Sequence, residues 1–309
     1  MKVALIDIGS NTSKLLIAEI ARSNSSECFS VVEENSLPCR LIDSSTNHNG
    51  LIDQQKLESL LLCLQKFKKT CERYDVKDIK IVATEAFRTA RNSSNLCKYI
   101  EKETGFRIEI LTGHEEAMGI AQGFKTDPAL KTWNDYIGLD IGGGSIEVIE
   151  VINQKVNQVK SLPLGAVHVA LGSKEDFSEK ISPIALANAQ EYVRNVIGTQ
   201  LHLLSLKTSY LAASGGTLVF LRKILDSEKV LPTDGLINRL QIEETFEKSC
   251  AITTAARIKM FPNLPTDRAD IFPFGLLAIM EIMKFLNMEQ LVHSYHNLRY
   301  GLIHEMLNS

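Results

Sequence analysis

An α/β protein of two related lobes, with a cleft between them, is the fold class this sequence predicts. A strand–turn–strand unit occurs twice, once as "LIDIGSNTSKLLIAEI" (5–20) and again as "GLDIGGGSIEVIEVI" (138–152). Asp7 matches Asp140, and Gly9 matches Gly142. Each copy leads into a third strand and then helices, which favours duplication over a chance likeness of two strands ending on glycine. The length of 309 residues also suits two domains of ordinary size.

Residues 2–8 form a short Val, Ile and Leu run, the pattern of a buried strand. After "GSNT", residues 14–20 read as its hairpin partner and 29–34 as a third strand. Residues 51–75 carry Leu57, Leu60, Leu61, Leu64 and Phe67 at helical spacing, which predicts a long amphipathic helix. "DIKIVATEAF" (78–87) reads as a strand, Asn95–Thr104 as a helix stopped by Gly105, and "RIEIL" (107–111) as another strand. A helix over Glu115–Gly123 leads out of the first lobe, and the polar stretch with Pro128 and Trp133 reads as a hinge.

The second lobe restarts the rhythm with strands at 136–140, 146–152 and 156–162, helices at about 182–204, and a strand at 208–213 before the turn "SGGT" (214–217). Helix resumes from 241. In the helical pattern of 266–287, Pro273 should kink the helix or mark its start. "LRYGLIHEMLN" (298–308) closes the chain as a terminal helix.

Composition narrows the function classes. The chain is 44% hydrophobic and 23% charged, as soluble globular proteins are. A net charge of −3 disfavours nucleic acid as a partner, so any anion site must be a local cluster of cations and backbone N–H groups. Cys28, Cys39, Cys63, Cys71, Cys97 and Cys250 are scattered without a CxxC pair, which argues against zinc and for reduced thiols of a cytoplasmic protein. The amino terminus shows no signal-peptide pattern, and no apolar run reaches membrane-spanning length.

The glycine turns hold the chemistry. A turn of Gly142, Gly143 and Gly144 can bring successive backbone N–H groups against an anion, and Ser145 adds a hydroxyl. Ser10, Asn11 and Thr12 offer similar polar groups from the first lobe. The run is neither a Walker A loop nor a Rossmann fingerprint, since a strand follows the glycines and no Gly-Lys-Ser/Thr does. Acids beside a phosphate nest repel the ligand unless a cation lies between. Asp140 and Glu147 therefore suggest a hard, oxygen-liganded metal, most naturally Mg²⁺, with Asp7 as a third contributor. For Glu147, a solvent-side place in an alternating strand, as expected for Glu150, explains the residue equally well.

Glu115 and Glu116 occupy the first turn of a helix, where capping explains an acid as readily as activation of a water does. Spacing does not choose between them. Arg88 and Arg91 fall i,i+3 and could share a helical face toward anionic oxygens. His114, His168 and His293 show no metal spacing and read as core or surface residues.

Taken in order, "DIGSNTSKLLI" (7–17), "ATEAFRTARN" (83–92), "TGHEEA" (112–117), "LDIGGGSIEV" (139–148), "LPLGAVHV" (162–169), "ASGGT" (213–217) and "RAD" (268–270) resemble the Ppx/GppA phosphatases, over nearly the whole chain. These are exopolyphosphatases and guanosine pentaphosphate phosphohydrolases of the actin-like ATPase superfamily. The resemblance implies two RNase H-like lobes, here 1–125 and 126–297, with a helix at about 298–309 returning to the first. It implies Mg²⁺-dependent removal of the terminal phosphate from polyphosphate or guanosine pentaphosphate, in the cytoplasm, by a homodimer. It places water activation on Glu116, the metal acids on Asp140 and Glu147, the phosphate loops on Ser10–Thr12 and Gly142–Ser145, and a substrate arginine on Arg88.

Departures stand beside it. Family members commonly carry Ser at the position of Glu85, and often a Gly-Leu-Arg-Glu-Gly ending where this chain has "NLRYG" (297–301). Asn297 is able to take a left-handed turn, while Tyr300 removes an expected charge on the substrate-entry side. The chain stops before the extra helical domain of longer relatives, from which a preference for shorter substrates is expected. The rival readings are a kinase of the same superfamily with "SGGT" at a nucleotide site, and a non-catalytic sensor of guanosine tetraphosphate or polyphosphate.

Overall fold

A computed structural model describes residues 1–23, 26–43, 50–174, 179–201, 208, 210–231 and 235–307. The chain divides into two compact units, Met1–Thr126 with His296–Ser309, and Asp127–Tyr295.

Among the described residues, unit 1 has a five-stranded sheet. Strands β1 (Lys2–Ile8), β2 (Thr12–Ser23) and β3 (Ser26–Pro38) form an antiparallel meander. Strands β4 (Asp78–Ala83) and β5 (Glu109–Ile110) add in parallel on the other side of β1, giving the order β3-β2-β1-β4-β5. Strand β1 is buried from Val3 to Ile8, the state of a central strand covered on both faces. Helices α1 (Gln54–Arg73), α2 (Glu85–Thr89), α3 (Ser93–Thr104) and α4 (Gly113–Thr126) follow the sheet strands. Asp53 caps α1, and Gly105 ends α3 as the sequence predicts, in a left-handed conformation.

Unit 2 repeats the plan. Strands β6 (Tyr136–Ile141), β7 (Ile146–Ile152) and β8 (Lys155–Leu162) form the meander. Strand β9 (Leu211–Gly215) runs parallel to β6, and β11 (Gln290–His293) parallel to β9, with β10 (Leu236–Asn238) as an added edge. The order β10-β11-β9-β6-β7-β8 contains that of unit 1 plus one strand. Strand β6 is thus the counterpart of β1, and Asp140 that of Asp7. Its helices are α5 (Ala166–Gly172), α6 (Pro183–Gln200), α7 (Gly216–Ser227), α8 (Arg239–Cys250), α9 (Thr254–Met260) and α10 (Phe272–Phe285). The last of these is buried from Phe272 to Met283 and forms the centre of the helical layer. Pro273 stands in its first turn, so it starts the helix rather than kinking it.

Helix α11 (Leu298–Leu307) belongs to unit 1 and packs on α4. A Cβ on Gly301 would lie 1.8 Å from the Gly119 carbonyl oxygen, so only glycine permits this approach.

Several expectations are corrected. The strand predicted over 78–87 stops at Ala83, and Glu85 opens the short helix α2. Asn297 is not left-handed; its Oδ1 accepts from the Arg299 N–H at 3.2 Å and caps α11. Tyr300 is buried, donates its hydroxyl to Glu34 at 2.7 Å and packs near Phe29, so it serves the packing of unit 1. Glu150 is not on a solvent face: it is fully buried and accepts from the Asn157 and Gln158 side-chain amides. Trp133 packs on Tyr136 and Tyr210 within unit 2. Residues 202–204 of the predicted helix, residue 209 of the predicted strand and residue 308 of the terminal helix lie outside the described residues. Cys39, Cys63, Cys71, Cys97 and Cys250 are thiols, not disulfides. No helix among the described residues is long and apolar enough to cross a membrane.

Candidate active site

In unit 1 the polar residues gather where β1 turns into β2. Ser10, Asn11 and Thr12 are all buried at this turn. The segment Cys39–Ile42 straps it from one side. The N–H groups of Cys39 and Arg40 donate to the Asn11 carbonyl at 3.1 and 3.0 Å, and those of Leu41 and Ile42 donate to the Ser10 carbonyl at 2.7 and 3.3 Å. In a trans peptide the C=O and N–H point in opposite directions. With both carbonyls turned to the strap, the N–H groups of Asn11 and Thr12 face away from it, as an anion nest requires.

Unit 2 uses the same device with different parts. The carbonyls of Gly142, Gly143 and Gly144 accept from Ala166, Val167 and Gly165 N–H at 3.1, 2.8 and 3.1 Å, at the start of α5. The N–H groups of Gly143, Gly144 and Ser145 are thereby aimed to the other side. Gly165 must be glycine, since a Cβ there would lie 2.3 Å from the backbone of Gly144. His168 Nδ1 also meets the Gly144 carbonyl at 2.7 Å, and because a carbonyl only accepts, Nδ1 carries the proton. The sequence reading left Gly165 and His168 without a role; both hold the turn.

The acids of unit 2 form one row across the sheet. Asp140 stands opposite Glu147 in the β6–β7 register, so both side chains are on the same face. Glu147 is only 1% exposed and accepts from the Ser161 hydroxyl at 2.8 Å. Asp140 accepts from the Ser214 hydroxyl. Ser214 and Ser161 are the register partners of these acids on β9 and β8. Two adjacent carboxylates oriented by hydroxyls repel one another, which a divalent ion relieves. Among the described residues no group of three or more His, Cys, Asp or Glu side chains could hold a metal. The pair still fits Mg²⁺, which is commonly held by one or two carboxylates together with substrate phosphates and water. Asp7, by contrast, has Lys14 on β2 and not an acid as its register partner.

The Glu pair divides cleanly. Glu115 accepts from the Thr112 N–H and hydroxyl, each at 2.8 Å, while its own N–H donates to the Thr112 hydroxyl at 3.2 Å. This is a capping box. The Thr112 backbone N–H first, and its hydroxyl next, hold the Glu115 carboxyl below its ordinary pKa. Glu116 is 6% exposed, and its Oε2 accepts from Arg88 Nη1 at 3.0 Å. The same nitrogen donates to the Leu111 carbonyl at 2.8 Å, which fixes the guanidinium at the end of β5.

Arg88 and Arg91 do not share a face. Helix α2 ends at Thr89, Ala90 is extended, and Arg91 is exposed with its N–H on the Gly50 carbonyl at 2.8 Å. Glu85 is buried and accepts from the Ser10 hydroxyl at 3.1 Å, a contact not foreseen from the sequence. The turn expected at "SGGT" is instead the point where β9 passes directly into α7; there the Arg268 guanidinium lies over Gly216, so the motifs "ASGGT" and "RAD" meet inside unit 2. His293 is a core residue, as expected.

Comparison with known proteins gives the chain its relatives. The family model described as the Ppx/GppA phosphatase family matches residues 17–309. A bifunctional 3-dehydroquinate synthase/phosphatase of Fusobacterium nucleatum is 25% identical, over 98% of this chain and 46% of its own length. Exopolyphosphatase 1 of Mycobacterium leprae is 29% identical, over 54% of this chain and 48% of its own length. The chain thus spans about half the length of the curated relatives it matches. Among solved structures, the Aquifex aeolicus Ppx/GppA family member has a TM-score of 0.76 at 25% identity, covering 100% of this chain and 98% of that one. An exopolyphosphatase from Cytophaga hutchinsonii has a TM-score of 0.88 at 20% identity, again covering 100% and 98%, and shares the fold. The chain belongs to the Ppx/GppA phosphatase family.

Proposed function

We propose that this chain is an exopolyphosphatase that removes the terminal phosphate of inorganic polyphosphate by attack of water. The Arg88–Glu116 pair carries the reading. A buried carboxylate fixed by an arginine, while its neighbour is committed to capping, is the residue a water-activating role needs. In this assignment Glu116 takes the proton of the attacking water and Arg88 orients Glu116. The nests at Asn11–Thr12 and Gly143–Ser145 donate to phosphate oxygens. Asp140 and Glu147 would hold Mg²⁺, oriented by Ser214 and Ser161. When bound, the ion neutralises phosphate oxygens. Positioning and charge neutralisation are most of what phosphoryl transfer asks of a protein.

The test is phosphate release from polyphosphate and from guanosine pentaphosphate, with and without Mg²⁺, by the wild-type chain and Glu116→Gln. Mg²⁺-dependent release from polyphosphate, abolished in the variant while binding persists, is expected. Full activity in Glu116→Gln removes the assignment. Release from guanosine pentaphosphate alone replaces the substrate, and tight binding with no release from either replaces the enzyme with a sensor.

A further inference from the structure

We propose that Arg40 is a phosphate-binding residue of unit 1, supplying the positive charge beside the Ser10–Thr12 turn. The inference rests on the reading of that turn as a phosphate cradle and extends it to a side chain outside every motif named above.

Three observations converge on it. The first is charge. Asp7 leads into the turn, Glu85 accepts from Ser10, and the charge of Arg88 is matched by Glu116 at 3.0 Å. Asp7 has Lys14 as its register partner, and Arg40 places a further guanidinium at the turn itself. Its Nε donates to Asn11 Oδ1 at 3.2 Å. The second is polarity. Arginine only donates, so this bond fixes the Asn11 amide with its oxygen toward Arg40. Asn11 Nδ2 then donates to Thr12 Oγ1 at 3.4 Å, so Arg40, Asn11 and Thr12 form a directed chain of donors. Nε anchors the guanidinium, whose two-nitrogen edge is the part suited to phosphate oxygens. The third is backbone. Arg40 has φ of 34°, a left-handed conformation that an L-residue rarely takes. Such strain persists where the surroundings impose it, and it clusters at ligand sites. Here the strap bonds to Asn11 and Ser10 impose it.

Binding and structural roles separate through three variants. Arg40→Gln keeps a donor for Asn11 and loses the charge. Arg40→Lys keeps the charge. Arg40→Gly relieves the left-handed backbone and loses both. With polyphosphate as substrate, Arg40→Gln and Arg40→Gly should raise KM about tenfold to a hundredfold with kcat nearly unchanged, the loss expected for one charge-assisted contact. Both should flatten the ionic-strength dependence of kcat/KM, and Arg40→Lys should recover most of the affinity. Arg40→Gly should melt no lower than wild type. Unchanged KM in Arg40→Gln, or equal losses in all three variants accompanied by lower melting temperatures, overturns the proposal. A wild-type chain that neither binds nor cleaves polyphosphate or guanosine pentaphosphate sinks the functional reading and this inference together. An active wild type with indifferent Arg40 variants sinks only the inference.

Discussion

Glu115 commits its carboxylate to the N–H and hydroxyl of Thr112, and both bonds favour the charged form. With its pKa lowered in the folded state, Glu115 adds stability above its ordinary pKa and gives it up as pH falls through the lowered one. Glu116 faces Arg88 instead. Glu115→Gln should therefore keep phosphate release intact, melt slightly lower and lose less stability on acidification. Glu116→Gln should keep its melting temperature near wild type and lower kcat by about 10²–10⁴. Measuring both quantities for both variants checks the division, and reversed outcomes would exchange the two roles. The sequence left this pair open because both residues occupy the first turn, where the helix dipole favours any acid. What separates them is a rotation of about 100° per residue around the helix axis, and the packing of α4 in unit 1 decides which side chain turns inward. Arg40 escaped for a related reason: nothing local marks it, and only the strap across the turn brings it to Asn11.

The hairpin Tyr136–Ile152 shows what an element reveals by itself. Strand, glycines, strand and the two acids are contiguous, so their apposition follows from hairpin pairing alone. Ser161 and Ser214 were not legible, because their place beside the acids depends on the register of β8 and on a parallel strand many residues away. Their hydroxyls orient the carboxylates, and loss of such support typically lowers metal affinity about 10–100-fold. Ser161→Ala and Ser214→Ala should each raise the Mg²⁺ concentration needed for half-maximal phosphate release by about that factor. Titration of Mg²⁺ at fixed polyphosphate measures it. An unchanged half-saturation point, with a lower melting temperature, would mean that the acids serve packing. Helix α2 is the opposite lesson. The segment around it reads as a strand leading to two arginines on one face, yet the strand stops early and a helix of 5 residues ends before Arg91. Apolar periodicity has too few residues there to distinguish the two.

At the scale of the whole molecule, one strand order serves both units; the repeat around Asp7 and Asp140, with the third strand and helices that follow each copy, exposed the duplication but not the order. The additions were harder to read from local pattern: among the described residues β10 pairs with β11 alone, and the return of α11 to unit 1, onto α4, was an expectation of the family resemblance that no periodicity announces. Burial also sets how the fold answers to pH. His293 ends β11 beside Ala213 of β9, 5% exposed, with neither ring nitrogen hydrogen-bonded. Burial first, and then the charge of Arg222, push its pKa down to about 4, against a smaller opposing pull from Asp127. Tyr295 packs edge-on at 4.5 Å and adds no charge. The unfolded chain therefore takes up this proton first as pH falls. Stability from neutral His293 is complete above the unfolded pKa of about 6.5 and is lost as pH drops toward 4, by up to about 3 kcal/mol. His293→Phe removes the titrating group at similar volume. Urea unfolding at pH 7.5, 6 and 5 should show wild type losing stability across this range and the variant losing distinctly less. Parallel profiles for the two chains would mean that the imidazole protonates as readily in the folded state as in the unfolded chain, and that burial does not govern it.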